Sequence, residues 1–294
     1  MPRLPVLQGR VLLLAVTTLT SLGFMLIGYD NGLMGGLVNS PAFRRTFQEP
    51  SSTMIGVIVA IFEVGCFFGS ILSAVFGERL GRRWTIGHGC CIMVVGVVLQ
   101  ASSGGRAQMI VARVVSGTGL GIVNSTVPVL QAEFSPKATR GLSTLNLGIF
   151  LVYWIDYAFA SHPGDYAWRI PVVLQCVCLV LMLLLLTLIP ETPRWLASHD
   201  RPDECARVLA QMQGVNLDDD DDDDDGNANN RLGEQVRRQH ASIIRAVAHE
   251  ASLRDTSAPW RDLLVNDDVQ SRTRLLMACA IQAFQQLGGI NAVI

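Results

Sequence analysis

Long apolar stretches fill most of this sequence before residue 190. A helix needs about 20 mostly apolar residues to cross a bilayer, and six stretches meet that requirement. A seventh begins near Leu275 and continues to the last residue, Ile294. The sequence therefore predicts an all-α polytopic membrane protein whose first six spans cover approximately 11–33, 53–76, 84–102, 108–130, 142–160 and 169–189.

The composition favours the same class of protein. Half of the 294 residues are hydrophobic and 16% are charged, whereas about a quarter of the residues in a soluble protein are charged. This composition excludes a disordered chain and argues against a soluble enzyme. The cysteines form no CxxC zinc pair and no Ser-His-Asp arrangement is apparent, so we expect no enzymatic activity, no metal and no cofactor.

The basic residues between the spans predict the orientation of the chain. If the N-terminus is cytosolic, the short cytosolic segments hold more Lys and Arg than the opposite loops do, as the positive-inside rule requires. Seven spans are also typical of a class of receptors, but those proteins place the N-terminus outside. A six-helix bundle, a large cytosolic loop and a further helix fit the sequence better.

A polar segment separates the sixth and seventh spans and divides the chain into three regions. It contains two stretches with helical character, 202–213 and 231–250, and a run of eight aspartates, Asp218–Asp225, between them. Like charges in sequence, followed by Gly and Asn, predict a solvated and disordered segment over 218–230. The predicted regions are a six-helix bundle over 1–190, a cytosolic linker over 191–272 and a truncated seventh span over 273–294.

Ionisable residues inside the predicted spans are candidates for function, because they are costly there and mark ion or proton pathways. Asp30 lies near the end of the first span and Arg113 in the first turns of the fourth, at similar depth. One hypothesis is that they pair and that protonation of Asp30 breaks the pair. The alternative is a hydrated Asp30 at the interface and an Arg113 that snorkels to the surface. Glu63, in the second span, is expected to face the bundle interior or to find a cation.

Three segments on the predicted cytosolic side combine acidic and basic residues. One joins the second and third spans, one follows the fourth and one follows the sixth. Opposite charges there could hold helix ends together in one state and release them in another. Alternatively, these residues are positive-inside anchors and helix caps. They are Glu78, Arg79, Arg82 and Arg83; Glu133 and Arg140; and Glu191 and Arg194.

Seven short motifs, in order along the chain, carry a family resemblance. They are GYDNGLMGG, ERLGRR, RVVSGTGLG, VPVLQAEFSPKATRG, WRIP, PETPRWL and QQLGGIN. From about residue 20 onwards, the chain resembles the N-terminal half of the sugar porter family of the major facilitator superfamily, and especially its fungal sugar and polyol transporters. The resemblance implies the six-helix N-terminal bundle of the major facilitator fold, a cytosolic helical linker and the start of helix seven.

The resemblance also implies roles for individual residues. Asp30 matches the aspartate that carries the proton in symporting members, and Arg113 matches its arginine neighbour. Gln285, Gln286 and Asn291 match amides that contact sugar hydroxyls, and amides donate and accept hydrogen bonds as hydroxyls do. The residues that match the family's cytosolic charge network are Glu78, Arg82, Arg83, Glu133, Arg140, Glu191 and Arg194.

The function that the resemblance implies is transport of a sugar or polyol, coupled to protons, by alternating access in the plasma membrane. The expected partners are the sugar or polyol, the proton and the lipid bilayer, with no nucleic acid. The chain departs from the family in lacking a short segment after Arg140-Gly141, which normally holds a sugar-binding glutamine, and in stopping within the seventh helix. These departures leave two alternatives, a non-transporting sugar sensor and a non-functional fragment of a transporter.

Overall fold

The structure is a computed structural model that describes residues 7–38, 40–134, 145–160, 164–214 and 226–254, and the positions 272, 273, 276, 277 and 280. Contacts between Cα atoms divide the chain into two units, residues 1–236 and 237–294. The first unit contains all of the spans predicted before residue 190. The second unit begins within the last of the described helices.

The described residues form ten α-helices, numbered here in chain order. The Ser51 side chain caps one of them by accepting a hydrogen bond from the Met54 N–H, as helix N-caps do. Proline occupies the first turn of three short helices, where its missing N–H leaves no helical bond unmade. The helices are α1 (Gly9–Leu37), α2 (Pro41–Thr46), α3 (Ser52–Leu80), α4 (Arg82–Ala101), α5 (Arg106–Phe134), α6 (Leu145–Ala160), α7 (Tyr166–Leu188), α8 (Pro193–Ser198), α9 (Pro202–Gln213) and α10 (Gly226–Arg254).

Five of these helices, α1, α3, α4, α5 and α7, are long and apolar enough to cross a membrane. They lie close to the limits that the sequence predicts for five of the six spans. The remaining predicted span, 142–160, corresponds to α6, which is apolar but only 16 residues long. Residues 135–144, which precede α6, lie outside the described part of the chain.

The exposed surface of α3 is largely apolar. Its buried residues are Ile58, Phe62, Gly65 and Gly69. A soluble monomer rarely leaves a large contiguous apolar patch exposed to water, whereas lipid accommodates one. The large apolar side chains that α3 exposes include Phe67, Phe68, Ile71, Leu72, Val75 and Phe76.

The spans form two groups of three helices that pack in the same way. One group is α3, α4 and α5, and the other is α6, α7 and α1. α3 packs along α5, and α6 packs along α1. α4 also packs against α5, as α7 does against α1. If α1 is exchanged with α5, α3 with α6 and α4 with α7, this pattern of contacts therefore stays the same. α1 and α5 meet where the two groups join. Paired three-helix groups are typical of folds built from internal repeats.

Glycines bring α3 and α5 unusually close together. A Cβ added to Gly117 of α5 would meet the backbone of Phe62 on α3, and one added to Gly65 of α3 would meet the backbone of Val114 on α5. Small residues permit such close approach of helices in membrane proteins. The two helices therefore touch backbone to backbone.

The two ends of the bundle differ in chemistry and are named here after their short helices. At the α2 end, the rings of Phe43 and Phe47 lie 5.8 and 5.6 Å from that of Trp168 on α7. Arg106, at the start of α5, donates hydrogen bonds of 2.8 Å to the carbonyl oxygens of Phe47 and Gln48. The α8 end holds the C-termini of α3, α5 and α7 and the N-termini of α1 and α4.

Two helices lie in the predicted linker. α9 covers Pro202–Gln213, which is the predicted range 202–213, and α10 is longer at both ends than the predicted range 231–250. α9 packs against α8 and α1, and Cys205, Val208 and Leu209 are among its buried residues. The acidic run and most of 273–294 lie outside the described residues. The predicted region limits at residues 190 and 272 remain predictions.

Candidate functional site

Two opposite charges lie buried between α1 and α5. Asp30 and Arg113 are 1% and 2% exposed, and Arg113 Nη1 lies 3.2 Å from Asp30 Oδ2 and 3.4 Å from Oδ1. Asp30 lies towards the end of α1 and Arg113 towards the start of α5, and the two helices run in opposite directions. The structure therefore pairs these residues, and neither the hydrated Asp30 nor the snorkelling Arg113 of the alternative hypothesis is observed.

Phe62 of α3 covers the guanidinium group of the pair. Arg113 Cζ lies 4.2 Å from the centroid of the Phe62 ring, a distance at which the face of the ring attracts a cation. Three helices thus contribute to the site. Phe62 could not be identified from the sequence, because nothing there separates it from Phe67 and Phe68. Of the three, Phe62 lies on the side of α3 that faces α5.

Hydrogen bonds connect Arg113 to α4. Ser116 Oγ donates to the carbonyl oxygen of Arg113 at 3.2 Å, and Gln100 Nε2 of α4 donates to Ser116 Oγ at 2.7 Å. All three residues are buried. Gln100 and Ser116, which were not predicted from the sequence, fix the backbone of Arg113 relative to α4.

Burial determines what this pair can do. Two charges taken out of water must be compensated within the protein, here by each other and by the Phe62 ring. Removing one partner of a buried pair costs about 3–5 kcal/mol. A proton on Asp30 has a similar effect, because it neutralises the carboxylate and leaves Arg113 against Phe62. Glu63, next to Phe62, is exposed. This position excludes the expected place inside the bundle but not the second alternative, a nearby cation.

The α8 end carries a second group of charges. Arg82 Nε lies 3.5 Å from Glu133 Oε1, which joins the start of α4 to the end of α5. Glu191 Oε1 accepts a hydrogen bond from the Arg83 N–H at 3.1 Å, which joins the segment after α7 to α4. Arg83 Nη2 also donates to the carbonyl oxygen of Thr187 at 3.4 Å. Predicted residues from three separate segments thus meet at this end.

Glu191 is half-buried in a space that Gly81 provides. Gly81 has a φ of 88°, which residues with a side chain rarely adopt, and a Cβ there would lie 2.7 Å from Glu191 Oε2. Glycine tolerates both this backbone conformation and this close contact, because it has no Cβ. Burial raises the pKa of the Glu191 carboxyl, and the N–H groups of Arg83 and Thr192 that bond to it offset part of that rise.

The remaining predicted site residues take different positions. Trp195 Nε1 donates to the backbone carbonyl oxygen of Glu78 at 2.8 Å, which holds α8 against the end of α3. Arg194, in the first turn of α8, is exposed. The predicted site residues that lie outside the described part of the chain are Arg140, Gln285, Gln286 and Asn291.

A cavity of about 340 Å³ adjoins the charges of the α8 end, between α3, α4 and α5. Glu78 and Arg82 line it, together with the hydroxyl groups of Ser73 and Thr126, which are 2.9 Å apart. The charged residues of this cavity were predicted from the sequence. Its hydroxyl groups were not, because they come from two apolar helices.

Comparison with known proteins identifies the family of this chain. The model of a family described as sugar (and other) transporter matches residues 16–294. The chain belongs to this family. The predicted membership of the sugar porter family of the major facilitator superfamily is thereby confirmed.

The curated relatives of this family member include fungal transporters. The chain is 36% identical over 296 residues to the MFS-type transporter oryC of Aspergillus oryzae, a match that covers 97% of this chain and 52% of the relative. It is 33% identical over 307 residues to the sugar transporter STL1 of Saccharomyces cerevisiae, with 98% of this chain and 51% of the relative covered. The chain spans about half the length of the curated relatives it matches.

Solved structures of a bacterial transporter share the fold of this family member. The partially occluded inward-open xylose transporter XylE of E. coli matches with a TM-score of 0.72 and 22% identity, over 95% of this chain and 65% of that chain. The proton:xylose symporter XylE bound to 6-bromo-6-deoxy-D-glucose matches with a TM-score of 0.66 and 23% identity, over 80% and 53%. The predicted fold class, an N-terminal half of the major facilitator fold, is confirmed.

Proposed function

We propose that this sugar transporter family member moves a sugar or polyol across a membrane, coupled to protons, by alternating access. The observation that carries the proposal is the buried Asp30–Arg113 pair, which joins two helices of a bundle and which one proton would break. A relative named as a sugar transporter and a fold neighbour named as a proton:xylose symporter support the substrate class and the coupling ion.

Asp30 is the proposed proton site. When ionised, it accepts hydrogen bonds from Arg113 Nη1 and holds α1 against α5. A proton converts it to a neutral acid, so the attraction to Arg113 is lost. Because the pair is sealed from water, a proton reaches Asp30 only when the surrounding helices part, which would tie protonation to the conformational state.

The amides of Gln285, Gln286 and Asn291 are the proposed sugar contacts, on the strength of their match to the QQLGGIN motif. Each amide offers both a donor and an acceptor to a hydroxyl group. Sugar binding and protonation of Asp30 would be coupled if both favour the same state of the bundle, because coupling between two sites is reciprocal.

The charges of the α8 end are the proposed cytosolic gate. The contacts of Arg82 with Glu133 and of Arg83 with Glu191 hold the ends of α4, α5 and α7 together, and breaking them would let these ends separate. The positive-inside distribution supports a cytosolic N-terminus and hence a cytosolic α8 end. We propose the plasma membrane as the location, and Glu78, Arg140 and Arg194 as further members of the gate.

Uptake into proteoliposomes that contain the purified chain tests the proposal. We expect an inward proton gradient to drive accumulation of labelled xylose, glucose or glycerol. Asp30→Asn mimics the protonated acid permanently and should abolish gradient-driven accumulation. Asp165→Asn is the matched control, because Asp165 is an exposed carboxylate at the α2 end. Absence of uptake for all three compounds, or accumulation that Asp30→Asn leaves unchanged, would contradict the proposal.

A further inference from the structure

Asp156 of α6 is a buried carboxyl group without a hydrogen-bond partner among the described residues. The residue is 8% exposed, and neither Oδ1 nor Oδ2 makes a hydrogen bond to the part of the chain that the structure describes. It belongs neither to the Asp30–Arg113 pair nor to the charges of the α8 end. Its place in the bundle therefore needs a separate explanation.

Gly36 of α1 forms the wall against which Asp156 lies. A Cβ added to Gly36 would lie 2.7 Å from Asp156 Cγ and 2.8 Å from its Cβ, so the carboxyl group occupies the space that a larger side chain would need. Gly32, one turn earlier, receives Val152 of α6 in the same manner. This close contact between α1 and α6 buries the carboxyl group.

The charged and titratable groups of α1 are engaged elsewhere. Asp30 is paired with Arg113. Tyr29, on the side of α1 that faces α6, donates its hydroxyl hydrogen to the carbonyl oxygen of Pro171 at 2.7 Å. Arg10 lies at the opposite end of α1. None of these groups provides Asp156 with a counter-ion.

α7, the other helix that packs on α6, offers no free cation either. Its one charged residue is Arg169, which lies 3.1 Å from Asp165 Oδ2 and donates to the carbonyl oxygen of Ser103 at 3.4 Å. The remaining titratable groups of α7 are Tyr166, Cys176 and Cys178. Phenols and thiols are uncharged at neutral pH, and α6 itself contains no basic residue.

The described residues thus provide Asp156 with neither a cation nor a hydrogen-bond donor. A buried carboxylate in such surroundings is much less favourable than the neutral acid, because the charge loses its hydration without compensation. We propose that Asp156 is a second proton-binding carboxyl of this bundle, held as the neutral acid where α6 meets α1. Its chemistry differs from that of Asp30. At Asp30, the proton competes with the guanidinium group of Arg113 for the carboxylate. Asp156 instead releases its proton to water when α6 and α1 part.

The proposal goes beyond sugar transport and can fail or succeed independently of it. Proton binding at Asp156 is a property of the α1–α6 contact and requires no sugar. Release of the proton opens or hydrates that contact, so acid conditions favour the closed contact.

Infrared spectroscopy of the purified 294-residue chain in lipid nanodiscs tests the proposal. Aspartate labelled with ¹³C in its side-chain carboxyl separates aspartic acid bands from those of glutamic acid. At neutral pH, we expect a protonated-aspartate carbonyl band that shifts in deuterated water and disappears in Asp156→Asn. Asp203→Asn, which removes an exposed carboxyl group of α9, is the matched control and should leave the band unchanged.

Three results would overturn the proposal. If the labelled chain without substitutions shows no such band at neutral pH, Asp156 is ionised, and this result does not depend on whether any variant folds. If the band survives in Asp156→Asn, another aspartate holds the proton. If Asp30→Asn removes the band, that proton belongs to the Arg113 pair. Asparagine has the shape of the neutral acid, so we expect Asp156→Asn to fold.

Discussion

The indole N–H of Trp195 donates to the carbonyl oxygen of Glu78 at 2.8 Å, across 117 positions of sequence. This bond ties α8 to the last turn of α3. The neighbouring bond from the Arg83 N–H to Glu191 ties the same segment to the first turn of α4. The segment around α8 therefore closes over the turn between α3 and α4, and separation of these helix ends requires that both bonds break.

Trp195→Phe should destabilise the bundle modestly. The substitution keeps an aromatic ring and removes the donor, and a hydrogen bond of this kind contributes about 1 kcal/mol to stability. The free energy of unfolding, measured by denaturing detergent titration, should fall by that amount. Trp154→Phe is the control, because Trp154 is exposed on α6. Equal effects of the two substitutions would mean that the Glu78 contact contributes nothing.

Glu191 should make stability depend on pH. Burial raises the folded-state pKa of this carboxyl above its unfolded value of about 4.3. The contribution of a group of this kind is full below its unfolded pKa and is lost as pH rises through its folded pKa. As the pH rises above about 4, the midpoint temperature of thermal unfolding should therefore fall less steeply in Glu191→Gln than in the chain without substitutions.

The exposed carboxyl of Asp203 provides the control for this experiment. Asp203→Asn reports the effect of removing one exposed negative charge. A Glu191→Gln profile that follows the profile of the chain without substitutions at every pH would show that the carboxyl titrates alike in the folded and unfolded states.

Phe62→Leu should weaken the Arg113 site without removing a charge. Leucine retains an apolar side chain of similar size but has no ring face, and a desolvated cation–π contact contributes about 2 kcal/mol. We expect that loss in the free energy of unfolding. Phe68→Leu, on the same helix but at a residue that is 54% exposed, should cost much less. A larger loss in Phe68→Leu than in Phe62→Leu would contradict the role of the ring.

Gly117→Ala should force α3 and α5 apart. The added methyl group would meet the backbone of Phe62, and overpacking of this kind costs about 1–3 kcal/mol. Gly56→Ala is the control, because a Cβ at Gly56 of α3 has no neighbour within 4 Å. Detergent titration should show a loss for the first and none for the second. Tolerance of Gly117→Ala would mean that the two helices can separate without cost.

The helices could be predicted from the sequence because each depends on a local apolar pattern. The limits of α9 agree with the prediction for the same reason, since Pro202 and Gly214 mark its two ends. The contact between Asp30 and Arg113 could be proposed because antiparallel spans place residues of known depth side by side. These inferences need only the length, direction and polarity of the spans.

The positions of Phe62 and Asp156 depend on which face of a helix meets its neighbour, and the sequence does not reveal this. Phe62 is indistinguishable from Phe68 until α5 is placed against α3. Asp156 resembles an interfacial acid at the end of a short span until Gly36, 120 positions earlier, is known to cover it. Uniformly apolar helices provide little contrast between their faces, so their rotation is fixed by packing alone.

The contact between α3 and α5 also restricts how the gene can change. Glycines four residues apart lie on both helices, at positions 65 and 69 and at positions 117 and 121, and each faces backbone on the other helix. Glycine is the smallest amino acid, so every missense change in these codons enlarges the residue. Elsewhere in the spans, a mutation can exchange one apolar residue for another of similar size. No such conservative substitution is available at these four codons.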